Sequence, residues 1–415
     1  MLMLKKTIAA LSLLSILAAC QNDENPSQPE PKPRQDINLT RAEQEFMDKG
    51  TDFAFRFFDQ VCSTEKEKPN IFVSPLSASL CLSMITNGAT DNTLAEMQDV
   101  LGFPATTFSL DDLNNYNQKL TSALLDLDNT TQLGIANSIW IKEGFKVYDS
   151  FVDVNKKMYD AQVQELDFTS PTAKDVINQW CANKTNNCIK EVIQEIPADA
   201  RMYLINALYF KGIWKSQFDK SATGQDNFTN ADGSQKEVAM MNQTATFNYT
   251  QTDDFSIAEL PYGNEAFSMV ILLPSGDKTL YESLSGLNYE NWKLWSKNMT
   301  GRELQIKLPR FKVEYDKKLE EDMIAMGMKD AFDTRKAKFA NMSGAELYIG
   351  LLQQFTYINV DEEGTEAAAV TVGGMLDSAV GFPSPVPFFV NRPFAFMIKE
   401  KSTGAILFMG KITKL

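Results

Sequence analysis

The chain of 415 residues contains no histidine, so it lacks the side chain that most often moves protons near neutral pH. A Ser-His-Asp or Cys-His hydrolase as normally built is excluded, as are zinc sites that use imidazole. Carboxylate-pair and lysine chemistry stay open, but no constellation gathers the residues for either. No cluster has metal-ligand spacing and no glycine loop could cradle a phosphate, so neither a metal, a cofactor nor an enzyme is expected. One stretch stands apart: "DEEGTEAAAVTVGGMLDSAVGFPSPVPFF", Asp361 to Phe389. It begins acidic, runs through small residues, and has no Lys or Arg between Gly364 and Pro387. It is too featureless for a core strand and too apolar for an ordinary linker.

The balance of 54 acidic against 40 basic side chains gives a net charge of −14. Nucleic acid and anionic membrane are therefore not expected as primary partners, because phosphate binding needs clustered Lys and Arg. The first residues read as a targeting segment. Lys5 and Lys6 form a basic head, and Thr7 to Ala19 form an apolar run too short to span a bilayer. It ends in "LAAC", Leu17 to Cys20, which resembles a bacterial lipoprotein lipobox, with Cys20 as the lipidated first residue of the mature chain. Residues 1–19 are then a signal peptide, and 20–40 a tether rich in proline, acidic and amide residues. The expected location is the bacterial cell envelope, at the outer membrane or cell surface, with membrane contact only through the lipid at Cys20.

Cys62, Cys81, Cys181 and Cys188 remain. On a continuous helix the seven-residue spacing of Cys181 and Cys188 is about 10 Å of rise, too far for a disulfide. They could pair only if the helix ends between them, near Asn186-Asn187; buried free thiols are the preferred reading.

From Arg41 the pattern becomes helical, with Phe46, Phe53, Phe57 and Val61 on one face. Ser77 to Ala89 is apolar nearly all round and reads as a buried helix. Thr93 to Phe103 reads as a third helix, with Gly102 as its stop. "FSMVILLPSGD" is a buried strand running into a turn. In "ELQIKLPRFKVEY", Leu304, Ile306 and Leu308 share one phase and Phe311, Val313 and Tyr315 the other. The slip at Pro309 predicts a bulge or a bend between two sheets. "FFVNRPFAFMIKE" and "GAILFMGKI" close the chain as a strand pair joined at Lys401 to Gly404. Helices come first and strands fill the second half, which predicts one mixed α+β domain over residues 41–415.

Five blocks resemble the serpin family, in its order and spacing: Asn70 to Thr93, Tyr203 to Asp219, Leu260 to Pro274, Leu308 to Tyr315, and "DEEGTEAAA" through "NRPFAFMI" to "LFMGKI". The resemblance implies three β-sheets, eight or nine helices, and an exposed reactive-centre loop between the central sheet and the C-terminal strand pair. It implies a monomeric suicide-substrate inhibitor that forms a covalent acyl complex with its target protease. The cut loop then enters the central sheet as a new strand, a switch known for this family. The alternative is a non-inhibitory relative serving as a surface binding module.

On this resemblance the hinge comprises Glu362, Gly364, Thr365, Glu366, Ala367, Ala368 and Ala369. Alternate residues Thr365, Ala367, Ala369, Thr371 and Gly373 would face the sheet interior, and all are small. Counting sixteen residues from Glu362 puts the reactive bond at Ser378–Ala379. Counting back from "NRPF" lands near Phe382, so the loop is about four residues longer than the common pattern; Leu376 and Met375 are further alternatives. Small and apolar residues suit elastase-like or chymotrypsin-like pockets, with papain-like cysteine proteases as a further class. Ser74, Ser77, Asn206 and Gln354 match the polar cluster beneath the parting strands, Gln354 standing where the family usually has histidine. Trp214 and Arg310 match positions at the top of the sheet, Arg310 as partner of Glu362.

Overall fold

A computed structural model describes residues 32–104, 106–365 and 384–415. Its helices are α1 (Arg41–Thr64), α2 (Pro75–Thr86), α3 (Asp91–Leu101), α4 (Leu110–Asp126), α5 (Asp149–Tyr159), α6 (Ala173–Lys184), α7 (Leu280–Leu284), α8 (Tyr289–Lys297) and α9 (Glu320–Met326). The earlier strands are β1 (Asn70–Val73), β2 (Gln132–Lys142), β3 (Gln162–Leu166), β4 (Met202–Ile213), β5 (Gly224–Thr229), β6 (Gln235–Gln251), β7 (Phe255–Pro261) and β8 (Phe267–Pro274). The later ones are β9 (Thr300–Pro309), β10 (Phe311–Lys318), β11 (Gln353–Val360), β12 (Gly364–Thr365), β13 (Val386–Phe389), β14 (Phe394–Glu400) and β15 (Ile406–Ile412).

Local signals set the helices. Thr40 and Glu43 form a reciprocal capping box at the start of α1, whose buried face carries Phe46, Phe53, Phe57 and Val61. Ser74 caps α2 and Pro75 occupies its first turn, where a missing N–H costs nothing. Gly102, at φ +85°, ends α3 in the left-handed conformation that glycine adopts without a Cβ penalty. Asn186 and Asn187 also take positive φ beyond α6, so the chain turns between Cys181 and Cys188. No disulfide joins them. Burial pushes the Cys62, Cys81 and Cys181 thiols up to about 12, so they are protonated and unreactive at neutral pH.

The central sheet has the order β10-β11-β12-β4-β2-β3. The second ladder runs β1-β15-β14-β8-β7-β6-β9-β13, with β5 paired to β6. Where three sheets were expected, two of them are therefore joined, because the 17-residue β6 continues from one into the other. Its Met240–Tyr249 half pairs with β9 and its Asn248–Gln251 end with β7. The phase slip at Pro309 is a bend between sheets: β9 belongs to the second ladder and β10 to the central sheet. In β10 the alternation is complete, with Phe311, Val313 and Tyr315 buried and Lys312 and Glu314 exposed.

One buried ionic group braces the second ladder. Lys399 Nζ lies 2.8 Å from Glu259 Oε1, while Ser268 and Asn248 donate to the same carboxylate. Burial raises the Glu259 pKa, but Lys399 and the hydrogen bonds outweigh it and hold the group at about 2. A depressed carboxyl contributes stability above its unfolded value of 4.5 that is lost as pH falls through about 2. The expected contribution is about 3 kcal/mol. Urea titrations between pH 2 and 7 should show this acid limb, and Glu259→Gln should flatten it.

Candidate functional site

The top of the central sheet is built around a tight turn, Asp361 to Gly364. The Asp361 carboxylate accepts from the backbone N–H groups of Glu363 and Gly364 at 3.0 and 3.3 Å, and Asp361 N donates to Gly364 O at 2.9 Å. This folds the chain back so that β12 lies between β11 and β4. Thr365 pairs with Val360 on one side and Gly212 on the other, and Gly364 pairs with Ile213. The fit depends on glycine. A Cβ on Gly364 would collide with the Gly212 carbonyl oxygen and sit 2.8 Å from Ile213 Cα, both backbone atoms that cannot yield.

Thr365 faces inward, as its phase predicts, and is 2% exposed. Its hydroxyl shares a 2.7 Å hydrogen bond with Tyr262 OH, itself fully buried. Trp214 stacks on Tyr262 with ring centroids 4.4 Å apart and planes 10° off parallel. The Trp214 indole donates to Asp361 O at 2.9 Å, and its backbone N–H donates to Glu363 O at 2.8 Å. Trp214 thus holds the hinge turn by both backbone and side chain.

Glu362 is buried and gripped. Arg310 Nε donates to both carboxylate oxygens at 2.8 and 2.9 Å, a second guanidinium nitrogen donates at 2.6 Å, and Thr223 Oγ1 donates at 2.5 Å. Burial pushes its carboxyl up, but Arg310 and Thr223 prevail and hold it below the usual carboxylate range. The neighbouring Asp361 goes the other way, raised by its burial. Glu363 pairs with Lys220. Tyr262, Glu363, Lys220, Thr223 and the Asp361 cap were not singled out from sequence. Tyr262, Asp361 and Glu363 lie inside quoted blocks, and the Asp361 cap is a local contact two and three residues long. Lys220 and Thr223 act through contacts across more than a hundred residues that no local pattern encodes.

Further down the sheet the expected polar cluster divides. Ser74 N donates to Gln354 Oε1 and Gln354 Nε2 returns to Ser74 O, both at 2.8 Å. Ser74 Oγ accepts from Ser77 N and donates to Leu407 O. Asn206 does not join them. Its Nδ2 donates 2.7 Å to Asn137 Oδ1 on the adjacent β2, and its own Oδ1 is buried without a partner among the described residues. The expectation of one four-membered cluster is corrected for a physical reason: β4 and β11 are parted at this level. Among the described residues the two strands are joined only through the two-residue β12. Below it lies a cavity of about 410 Å³, lined by Leu204 and Asn206 of β4, Gln354 and Phe355 of β11, Cys81 beneath the sheet and Cys181 above it.

A slot between two strands, with a strand already started at its top, can accept an extended chain. The chain leading into it is the hinge itself. Glu366, Ala367, Ala368 and Ala369, the reactive-bond candidates Met375, Leu376, Ser378, Ala379 and Phe382, and the lipidation candidate Cys20 lie outside the described residues.

Comparison with known proteins agrees with this architecture. Residues 48–415 match the profile of Serpin (serine protease inhibitor). A serpin-like protein of Methanosarcina acetivorans is 34% identical over 369 residues, covering 87% of this chain and 85% of that one. Serpin B6 of Macaca fascicularis is 35% identical over 356 residues, covering 83% and 93%. The native crystal structure of the thermophilic serpin tengpin superposes with a TM-score of 0.82 at 32% identity, covering 93% of this chain and 98% of that one. The fold, the hinge seated at the head of a parted sheet and these matches have one reading: the chain belongs to the serpin family of serine protease inhibitors.

Proposed function

We propose that this chain inhibits elastase-like or chymotrypsin-like serine proteases, with papain-like cysteine proteases as a second class, by loop cleavage and insertion. The observation that carries the reading is Thr365, paired on both sides at the top of a slot whose lower part holds a cavity. The protease serine oxygen attacks the Ser378 carbonyl carbon, the bond to Ala379 breaks, and Ala379 leaves as a free amine. Ser378 is then an ester on the protease. Insertion of Thr365 to Ser378 would carry that ester about 45 Å along the sheet. Each new backbone hydrogen bond contributes about 1 kcal/mol, so the inserted state lies well below the resting one, which a kinetic barrier preserves.

Residues 41–415 act as the inhibitory domain, as a monomer. Cys20 carries the lipid that holds it to the cell envelope. Gln354 supports a further distinction. It makes the hydrogen bonds of an amide and does not titrate, so strand parting should not respond to pH in the range where histidine would.

Mixing with an elastase-like enzyme should give an SDS-stable complex and release a C-terminal peptide beginning at Ala379, identified by mass spectrometry. The cleaved protein should melt tens of degrees higher than the intact one, because a strand has been added to the central sheet. Cleavage with neither complex nor stabilisation would favour a surface binding module instead.

A further inference from the structure

We propose that the loop-bearing pole of the domain faces the membrane, so that the inhibitor takes proteases working at the lipid surface. This rests on the reading of Cys20 as the lipid anchor. The last part of the 20–40 tether lies against the domain from Lys32, whose backbone N–H donates 2.8 Å to Asn129 Oδ1 and whose Nζ lies 3.1 Å from Asp126. Ile37 N then donates to Ser402 Oγ, and Lys119 donates to Asn38 O. These contacts pin the root of the tether to the end of α4, the start of β2 and the β14–β15 turn.

That corner is the hinge corner. Asp128, beside the root, accepts from Asn264 N, and Leu127 O accepts from Asn264 Nδ2. The next residue, Glu265, is paired with Lys215 and Lys401, and Lys215 follows Trp214, which holds the hinge turn. The sheet register gives the same answer. Gln132 of β2 pairs with Lys211 of β4, one residue from the Gly212 that pairs with Thr365. Gln132 and Thr365 are thus two strand spacings apart, about 10 Å. Asn129, three residues earlier, adds at most about 10 Å.

The dozen residues from Cys20 to Lys32 reach at most about 40 Å when fully extended. A globular domain of this length is about 55 Å across. An inverted domain would hold Lys32 about 50 Å above the bilayer, beyond the tether. Of the arrangements within reach, the proposed one keeps the hinge pole nearest the lipid and leaves the opposite pole, where Tyr348 and Leu351 are exposed at the cavity mouth, pointing away. The net charge of −14 keeps the body off an anionic surface, so the tether rather than adsorption sets the orientation. The partner this geometry fits is a protease whose own active site lies near the membrane. A soluble protease must enter a gap no taller than the tether.

The test uses the mature chain, residues 20–415, joined chemically through residue 20 to a diacyl lipid in phosphatidylethanolamine–phosphatidylglycerol vesicles. A donor fluorophore is placed at Ser384 or at Tyr348, with an acceptor on the lipid headgroups. Transfer from Ser384 should exceed transfer from Tyr348 at least about twofold, and inserting a flexible Gly-Ser stretch of about 30 residues after Asn25 should abolish the difference. Equal transfer, or stronger transfer from Tyr348, overturns the orientation. The chain produced with its own leader in a bacterial host should carry diacylglycerol on Cys20, and its absence there overturns the anchor. Neither readout requires inhibition, so both stand apart from the protease-inhibitor reading.

Discussion

Thr365→Arg should convert the protein from an inhibitor into a substrate. The wild-type side chain is 2% exposed, hydrogen-bonded to Tyr262, and flanked by Gly212 and Val360. Arginine at this position would bury a charge where Thr365 now meets the Tyr262 hydroxyl, at a cost of several kcal/mol. In the resting molecule the two-residue β12 can avoid that cost by leaving the sheet, so the fold should survive with a melting temperature within a few degrees. During insertion there is no such escape, because residue 365 must be seated before any later residue can follow. Deacylation should then outrun insertion. The expected result is a loss of at least about a hundredfold in SDS-stable complex, equivalent to roughly 3 kcal/mol, with the cleaved chain accumulating instead. Thr365→Val, which keeps the shape and removes only the hydrogen bond, should retain most of the complex. If the arginine variant still forms complex at the wild-type rate, the inward seating of Thr365 is not the first step of inhibition.

How far sequence could lead is clear from particular residues. The period-two pattern split β9 from β10 at Pro309, because alternation records which face is buried, whereas the inward phase of Thr365 was implied by the family resemblance. Gly364 was legible as a hinge, but its need for a missing Cβ was not, since that depends on the Gly212 carbonyl across the sheet. The Arg310–Glu362 pair came only from family resemblance; nothing in the spacing of two residues 52 apart implies contact. Asn206 shows the limit of that route. Resemblance grouped it with Ser74 and Gln354, yet with β4 and β11 parted it turns to Asn137 instead. The joining of two of the three expected sheets was not legible for a related reason. Strand patterns reveal alternation but not that β6 runs on from one pairing to the next.

Arg310→Ala should destabilise the resting protein strongly at neutral pH and less in acid. Glu362 is 1% exposed and relies on Arg310 for three of its hydrogen bonds, with Thr223 supplying one more. Removing the guanidinium leaves a buried carboxylate facing Thr223, with the carboxyl groups of Asp361 and Glu363 nearby and Lys220 engaged by Glu363. Breaking a buried pair in this way costs about 3 kcal/mol, although Arg310 itself is half-exposed, so solvent offsets part of the loss. The sign of the pH dependence follows from the same atoms. In the wild type the Glu362 carboxyl is held below its ordinary value, so its contribution is present above the unfolded pKa and lost as pH falls through the folded one. Without Arg310 only Thr223 and the backbone oppose the burial effect, so the folded pKa should rise from its wild-type position. The variant's deficit should then be largest at pH 7 and shrink as pH falls and Glu362 takes up a proton. Glu362→Gln should behave oppositely in the variant background, restoring stability at pH 7 because no charge is left to bury. Urea unfolding of the four proteins in this double-mutant cycle, at pH 7 and pH 5, separates the outcomes. A deficit in Arg310→Ala that does not change with pH would show that the guanidinium acts by packing alone. Because Arg310 and Trp214 both hold the turn that precedes β12, the stability lost in the variant is lost from the resting state, and loop insertion without cleavage should accelerate in step with it.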